Sequence, residues 1–171
     1  MLFRSLTVIG KDRPGLVEEL AATIAAHQGN WLDASMSQLA GQFAGIVQVA
    51  APVLQVEPLR QALNGLAGLR AMAEPSAEMP RLKGRRLKLA LVGHDRLGIV
   101  KEVSQVLARH AVNVEKLVTH TSSAPMAATT LFHAQAELSA ESGLDARALA
   151  DDLERLSNDL MVDISVDETL A

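Results

Sequence analysis

Displaced by eighty-three residues, the sequence lies over itself. Leu6-Thr7-Val8-Ile9-Gly10-Lys11-Asp12-Arg13-Pro14-Gly15-Leu16-Val17 then faces Leu89-Ala90-Leu91-Val92-Gly93-His94-Asp95-Arg96-Leu97-Gly98-Ile99-Val100. The register continues through Glu19 and Glu102, Leu20 and Val103, Ala25 and Ala108, His27 and His110, and Asn30 and Asn113. A repeat of this kind constrains the fold more than any local pattern, because both copies must satisfy one architecture. Two homologous modules are predicted, over residues 1–74 and 87–171, with a linker over 75–86. That linker carries Pro75, Pro80, Gly84, Arg85 and Arg86 with no hydrophobic period, as connecting segments do. Its basic run has no interleaved aromatic residues, so it reads as a solvated spacer rather than a nucleic-acid contact.

Within each module the pattern reads strand, helix, strand, strand, helix, strand. Leu87 to Leu91 alternates with period two, as a half-buried strand does. A helical stripe follows, with Val17, Leu20 and Ile24 in the first copy and Val100, Val103 and Leu107 in the second. Ala40-Gly41 predicts a tight hairpin turn, and Ser123-Ala124-Pro125 its counterpart. Phe132, Ala134, Ala136 and Leu138 are expected in the core, with His133, Gln135 and Glu137 on the other face. The second helix carries Leu59, Leu63 and Leu66 and opens at Pro58. Its repeat carries Leu149, Leu153, Leu156 and Leu160. The closing strand is clear at Val162, Ile164 and Val166, and in the first module falls on the weaker segment Leu69 to Ala73. The strands after Asn30 and Asn113 break phase, which predicts a bulge in each. Two βαββαβ modules of this kind make an α+β protein of ferredoxin-like type, with antiparallel sheets and both helices of a module on one face.

Composition removes several classes of function. Half of the residues are apolar, but only three Phe and one Trp are aromatic, so the cores are built from Leu, Val, Ile and Ala. There is no cysteine, hence no disulfide, thiol nucleophile or thiolate metal site. The longest apolar runs are strand-sized, short of the ~20 residues of a membrane helix. The first residues show no signal-peptide cleavage site. A cytoplasmic protein with no membrane association is expected. The net charge of −4 speaks against a direct nucleic-acid binder, and no helix-turn-helix pattern is present.

Chemistry concentrates between the first strand and first helix of each module. Pro14 presets a helical backbone angle, and Gly15 removes a side chain that would bar a ligand from the backbone. Unpaired N–H groups at the helix start favour a carboxylate. Asp12 offers the opposite charge for an ammonium group, so the pair suits an amino-acid zwitterion. Asn30, opening the second strand, can both donate and accept. The plainer alternative is that Asp12 caps the helix and Gly15 eases a turn.

The stretch from Val8 to Val17, with Asn30 after Gln28-Gly29, resembles ACT domains, and the tandem layout is similar to the family of glycine cleavage system transcriptional repressors. The resemblance implies amino-acid binding at domain–domain interfaces, a non-enzymatic regulatory role and no cofactor. It implies a small ligand such as glycine, a transcriptional activator as protein partner, and oligomerisation. It carries over to Asp12, Arg13, Pro14, Gly15 and Asn30, and to Asp95, Arg96, Gly98 and Asn113. Leu97 departs from the usual proline, and Asp12 and Asp95 stand where the family often has Asn. The first module, which keeps Pro14, is expected to be the better receptor.

Three rivals remain: an enzyme, a DNA-binding repressor, which the charge and the missing helix-turn-helix disfavour, and a scaffold. An acylphosphatase-like enzyme would use Arg13 and Asn30, but Lys11-Asp12 places a carboxylate where phosphate would sit. A metal site at His120 and His133 fails if the hairpin turns near Ser123, since His133 then lies several residues along the ladder. His27 and His110 fall at helix ends, where their role is structural. A scaffold with degenerate pockets is the third.

Overall fold

The computed structural model describes residues 2–76, 84–126 and 128–167, and segment 77–83 of the expected linker lies outside them. The chain divides into two compact units, Met1–Pro80 and Arg81–Ala171. In the first, β1 (Leu2–Lys11), α1 (Leu16–Ala26), β2 (Asn30–Leu39), β3 (Gln42–Ala51), a single 3-10 turn (Val53–Gln55), α2 (Val56–Asn64) and β4 (Leu69–Pro75) follow in order. The second repeats this as β5 (Arg85–His94), α3 (Ile99–Arg109), β6 (Asn113–Ser123), β7 (Thr130–Ala140), α4 (Ala146–Glu154) and β8 (Met161–Asp167). The sheets are antiparallel, ordered β2-β3-β1-β4 and β6-β7-β5-β8.

One core serves both helices of each module, which places them on the same sheet face. In the first, Leu6, Val8, Val47 and Val49 from the sheet meet Leu16, Leu20 and Ile24 of α1 and Leu59 and Leu63 of α2. In the second, Leu87, Leu89, Leu91 and the alternating Phe132, Ala134, Ala136 and Leu138 meet Ile99, Val103, Leu107, Leu149 and Leu153. Burying one such leucine stabilises the fold by about 1.5–3 kcal/mol relative to exposing it. The helical stripe begins one residue earlier than the sequence period suggests. Leu16 and Ile99 are buried, whereas Val17 and Val100 are exposed.

The hairpin β2–β3 turns at Ala40 (φ 50°) and Gly41 (φ 78°), the paired left-handed angles of a two-residue turn matched to strand twist. Bulges fall between Trp31 and Asp33 and between Val114 and Lys116, as the broken phase predicts. Three local expectations need correction. Pro58 is third in α2, not first; the N–H groups of a first turn lack intrahelical partners, so proline still costs no hydrogen bond there. The second hairpin closes at Ser123 opposite Thr130, a longer loop than Ser123-Ala124-Pro125 implies. Leu66 lies beyond α2, which ends at Asn64, and Leu156 and Leu160 lie beyond α4, which ends at Glu154 and is capped at its start by Asp145.

Candidate functional site

Beyond β1 the backbone N–H of Asp12 donates to the Gly41 carbonyl at 3.0 Å, tying the loop to the β2–β3 turn. Asp95 does the same to Thr130 at 2.9 Å. Gly15 and Gly98 are the N-cap residues of α1 and α3, with φ of 83° and 85°. A Cβ on either would meet nothing within 4 Å. Glycine is therefore required by its left-handed angle, worth about 1–2 kcal/mol against an L side chain, rather than by crowding. No side chain caps either helix, so Asp12 is not a cap. Its carboxylate is exposed and without a partner among the described residues.

Both arginines are already engaged. The Nη1 and Nη2 of Arg13 donate to the two carboxylate oxygens of Glu19 at 2.8 and 2.6 Å. Arg96 forks onto Glu102 at 3.0 and 2.5 Å. These hydrogen bonds hold the Glu19 and Glu102 carboxyls below the usual range. Each pair pins the loop to the first turns of the following helix. The six-residue spacing of Arg and Glu recurs in both copies and could have revealed the clamp from sequence.

The sheet separates what the sequence seemed to bring together. β3 lies between β1 and β2, so Asn30 is not on a strand adjacent to the loop. Asn30 faces Ala50, which faces Phe3, whereas Lys11 faces Gln42 and through it Leu39. Eight residues of strand, roughly 27 Å at 3.3–3.4 Å each, lie between those levels. Asn113, level with Arg86, is equally far from the loop after His94. No amino acid can touch Asp12 and Asn30 of one module together.

The second loop carries a further lock. The Asp159 carboxylate accepts from the His94 backbone N–H at 2.7 Å, lies 2.9 Å from His94 Nδ1, and also accepts from the Ser157 hydroxyl. The Ser157 hydroxyl, and next the His94 N–H, lower its pKa to about 2. A depressed carboxylate stabilises the fold above its unfolded pKa and loses that contribution as pH falls through the folded value. The His94 amide resonance should therefore titrate with a midpoint near pH 2, as NMR can follow. Asp159→Asn should remove that transition, and a midpoint above pH 4 would show that the lock is absent.

His120 and His133 face each other directly across β6 and β7, contrary to the spacing inferred from a tight turn. The longer hairpin loop shifts the register and stacks the rings with centroids 4.5 Å apart and planes at 2°. Ser122 Oγ lies 2.7 Å from His133 Nε2. Among the described residues no three His, Asp or Glu side chains gather as a metal site. His27 ends α1 with Nδ1 at 2.8 Å from the Thr23 carbonyl, and His110 ends α3 with Nε2 at 2.8 Å from Asp152. Among the described residues no helix is long and apolar enough to cross a membrane.

With this geometry in place, residues 5–72 match the family model of the ACT domain. That match spans the first module, and the second repeats its βαββαβ topology, so the chain has a two-domain ACT-like fold. The crystal structure of an unknown protein from Galdieria sulphuraria is similar over 99% of both chains, with 27% identity and a TM-score of 0.81. A crystal structure provisionally assigned as a glycine cleavage system transcriptional repressor is similar over 98% of both chains, with 17% identity and a TM-score of 0.72. The latter likeness is one of fold. No curated protein matches the sequence.

Proposed function

We propose that the chain is a non-enzymatic regulatory protein that senses a small amino acid such as glycine. The observation that carries this reading is the unpartnered Asp12 carboxylate beside the uncapped start of α1, in a module that matches the ACT domain. Free N–H groups at a helix start suit the ligand carboxylate, and Asp12 suits its ammonium. Asp95 before α3 repeats the arrangement. Because Asn30 lies at the far end of its own sheet, a complete site takes its Asn from a second copy of the chain. The pairing of Arg13 with Glu19 speaks against the acylphosphatase-like alternative, whose arginine must be available to phosphate.

Pro14 alone does not rank the two sites. The second loop lacks proline but gains Asp159, and Glu18 in the first turn of α1 is replaced by Lys101 in the first turn of α3. The charge gained at Lys101 is offset by Asp159 and by His94 standing where the first module has Lys11, while Pro14 favours loop order at α1. Regulation passes to a protein partner, a transcriptional activator in this reading, rather than directly to nucleic acid, consistent with the net charge of −4.

Calorimetric titration with glycine, serine and alanine tests the proposal. Asp12→Ala and Asn30→Ala should each weaken binding at the first site by about 1–3 kcal/mol through loss of a charge-assisted or buried hydrogen bond. Mixing the two variants should restore part of the binding, since one mixed site regains both groups. A native-state ligand must raise thermal stability. If none of the twenty amino acids does so, the scaffold alternative is correct and the sensing role is lost.

A further inference from the structure

The helix-free face of the first sheet has a cationic corner at the end of β1. Val8 and Gly10 are buried toward the helices, so Ile9 and Lys11 project to the opposite face. Gln42 is the cross-strand partner of Lys11 on β3, and Arg70 that of Ile9 on β4. With Gly10, Gly68 and Leu69 these residues line an open hollow of about 510 Å³. Neither Lys11 nor Arg70 has a carboxylate partner among the described residues. Ile9 is 44% exposed on its floor, and Met72, 64% exposed, extends the apolar surface along β4.

The repeat supplies an internal comparison. Leu69 lies beneath Gly10 and Leu160 beneath Gly93, so the preceding residues, Gly68 and Asp159, occupy corresponding places. In the second module His94 and Met161 replace Lys11 and Arg70, and the Asp159 carboxylate sits on His94. One module therefore carries its own anion at this corner. The other has two cations, a glycine in place of the acid, and an open hollow.

We propose that this corner of the first module binds a carboxylate borne on an aliphatic group, held where the second module places Asp159. Arg70 offers a planar fork, Lys11 a point charge and Gln42 an amide donor. Ile9 and Met72 receive the alkyl chain. The neighbouring Asp12 carboxylate disfavours a multiply charged anion such as phosphate, and so selects a monoanion. The site lies at the end of β1 between β3 and β4, and its existence does not depend on amino-acid sensing at Asp12.

Amide NMR of the full chain at low ionic strength, titrated with hexanoate, acetate and hexylammonium, tests it. Hexanoate should shift the amides of Ile9 to Lys11 and Gly68 to Arg70. It should bind about tenfold more tightly than acetate if roughly two methylenes are buried. Hexylammonium should leave those amides unmoved. Arg70→Gln should weaken hexanoate by about tenfold, the effect of losing a charged hydrogen-bond donor. Gly68→Asp should abolish binding by supplying an internal carboxylate. Gly68→Asn, which also tolerates the left-handed φ of 75°, should retain it and so control for folding. The proposal is overturned if hexanoate leaves the wild-type amides unmoved, if hexylammonium acts equally, or if Gly68→Asp binds like wild type. Loss of hexanoate binding with glycine binding intact would remove this site and leave the sensing role standing.

Discussion

Leu20→Ala is expected to destabilise the first module by about 2–5 kcal/mol, the largest single effect foreseen for this chain. Leu20 is fully buried on α1, in the core that also holds Leu6, Val8, Val47, Val49, Leu59 and Leu63. Truncation removes the transfer free energy of the lost carbons and leaves a void whose walls belong to sheet and both helices. Those walls cannot collapse together without breaking strand register. Trp31, the single tryptophan, packs against the same core and reports its unfolding by fluorescence. Urea denaturation followed at Trp31 should show the midpoint lowered with an unchanged slope. A shift below about 1 kcal/mol would mean that the core repacks more freely than its shared walls imply.

Gly45→Ala should cost about 3 kcal/mol, toward the upper end of what overpacking does, although it adds only a methyl group. Gly45 lies in β3 between Val8 of β1 and Met36 of β2. A Cβ there would come within 2.6 Å of the Met36 Cα and also meet the Ser35 carbonyl. Both are backbone atoms of the neighbouring strand, so no side-chain rotation relieves the clash. The strain falls on β2, the edge strand, which is held by pairing on one side only. Hydrogen exchange of β2 amides should accelerate more than that of β1, which is paired on both sides. Equal protection in variant and wild type would show that the sheet absorbs the methyl group by twisting.

The sequence alone determined the duplication, the order of elements in each module, and the alternation that buries Phe132, Ala134, Ala136 and Leu138. These follow from local rules: periods of two and 3.6, the left-handed turn at Ala40-Gly41, and glycine before each first helix. The bulges at Trp31 and Val114 were legible for the same reason, since an extra residue breaks the period in the string itself.

The spatial order of strands was not legible in the candidate site. Asp12 and Asn30 are close in sequence and joined by one helix, yet β3 inserts between their strands, and β2 runs parallel to β1. That sends Asn30 to the opposite end of the sheet. The pairing of His120 with His133 likewise depended on where a long hairpin loop closes, which no strand pattern specifies. The Asp159 lock joins residues 65 apart in sequence, a pairing no local spacing announces. Hydrophobic period is a property of neighbouring residues and survives in one dimension. Register, strand order and the partner of a charge are settled only when distant segments pack, because only then does one of several local solutions exclude the others.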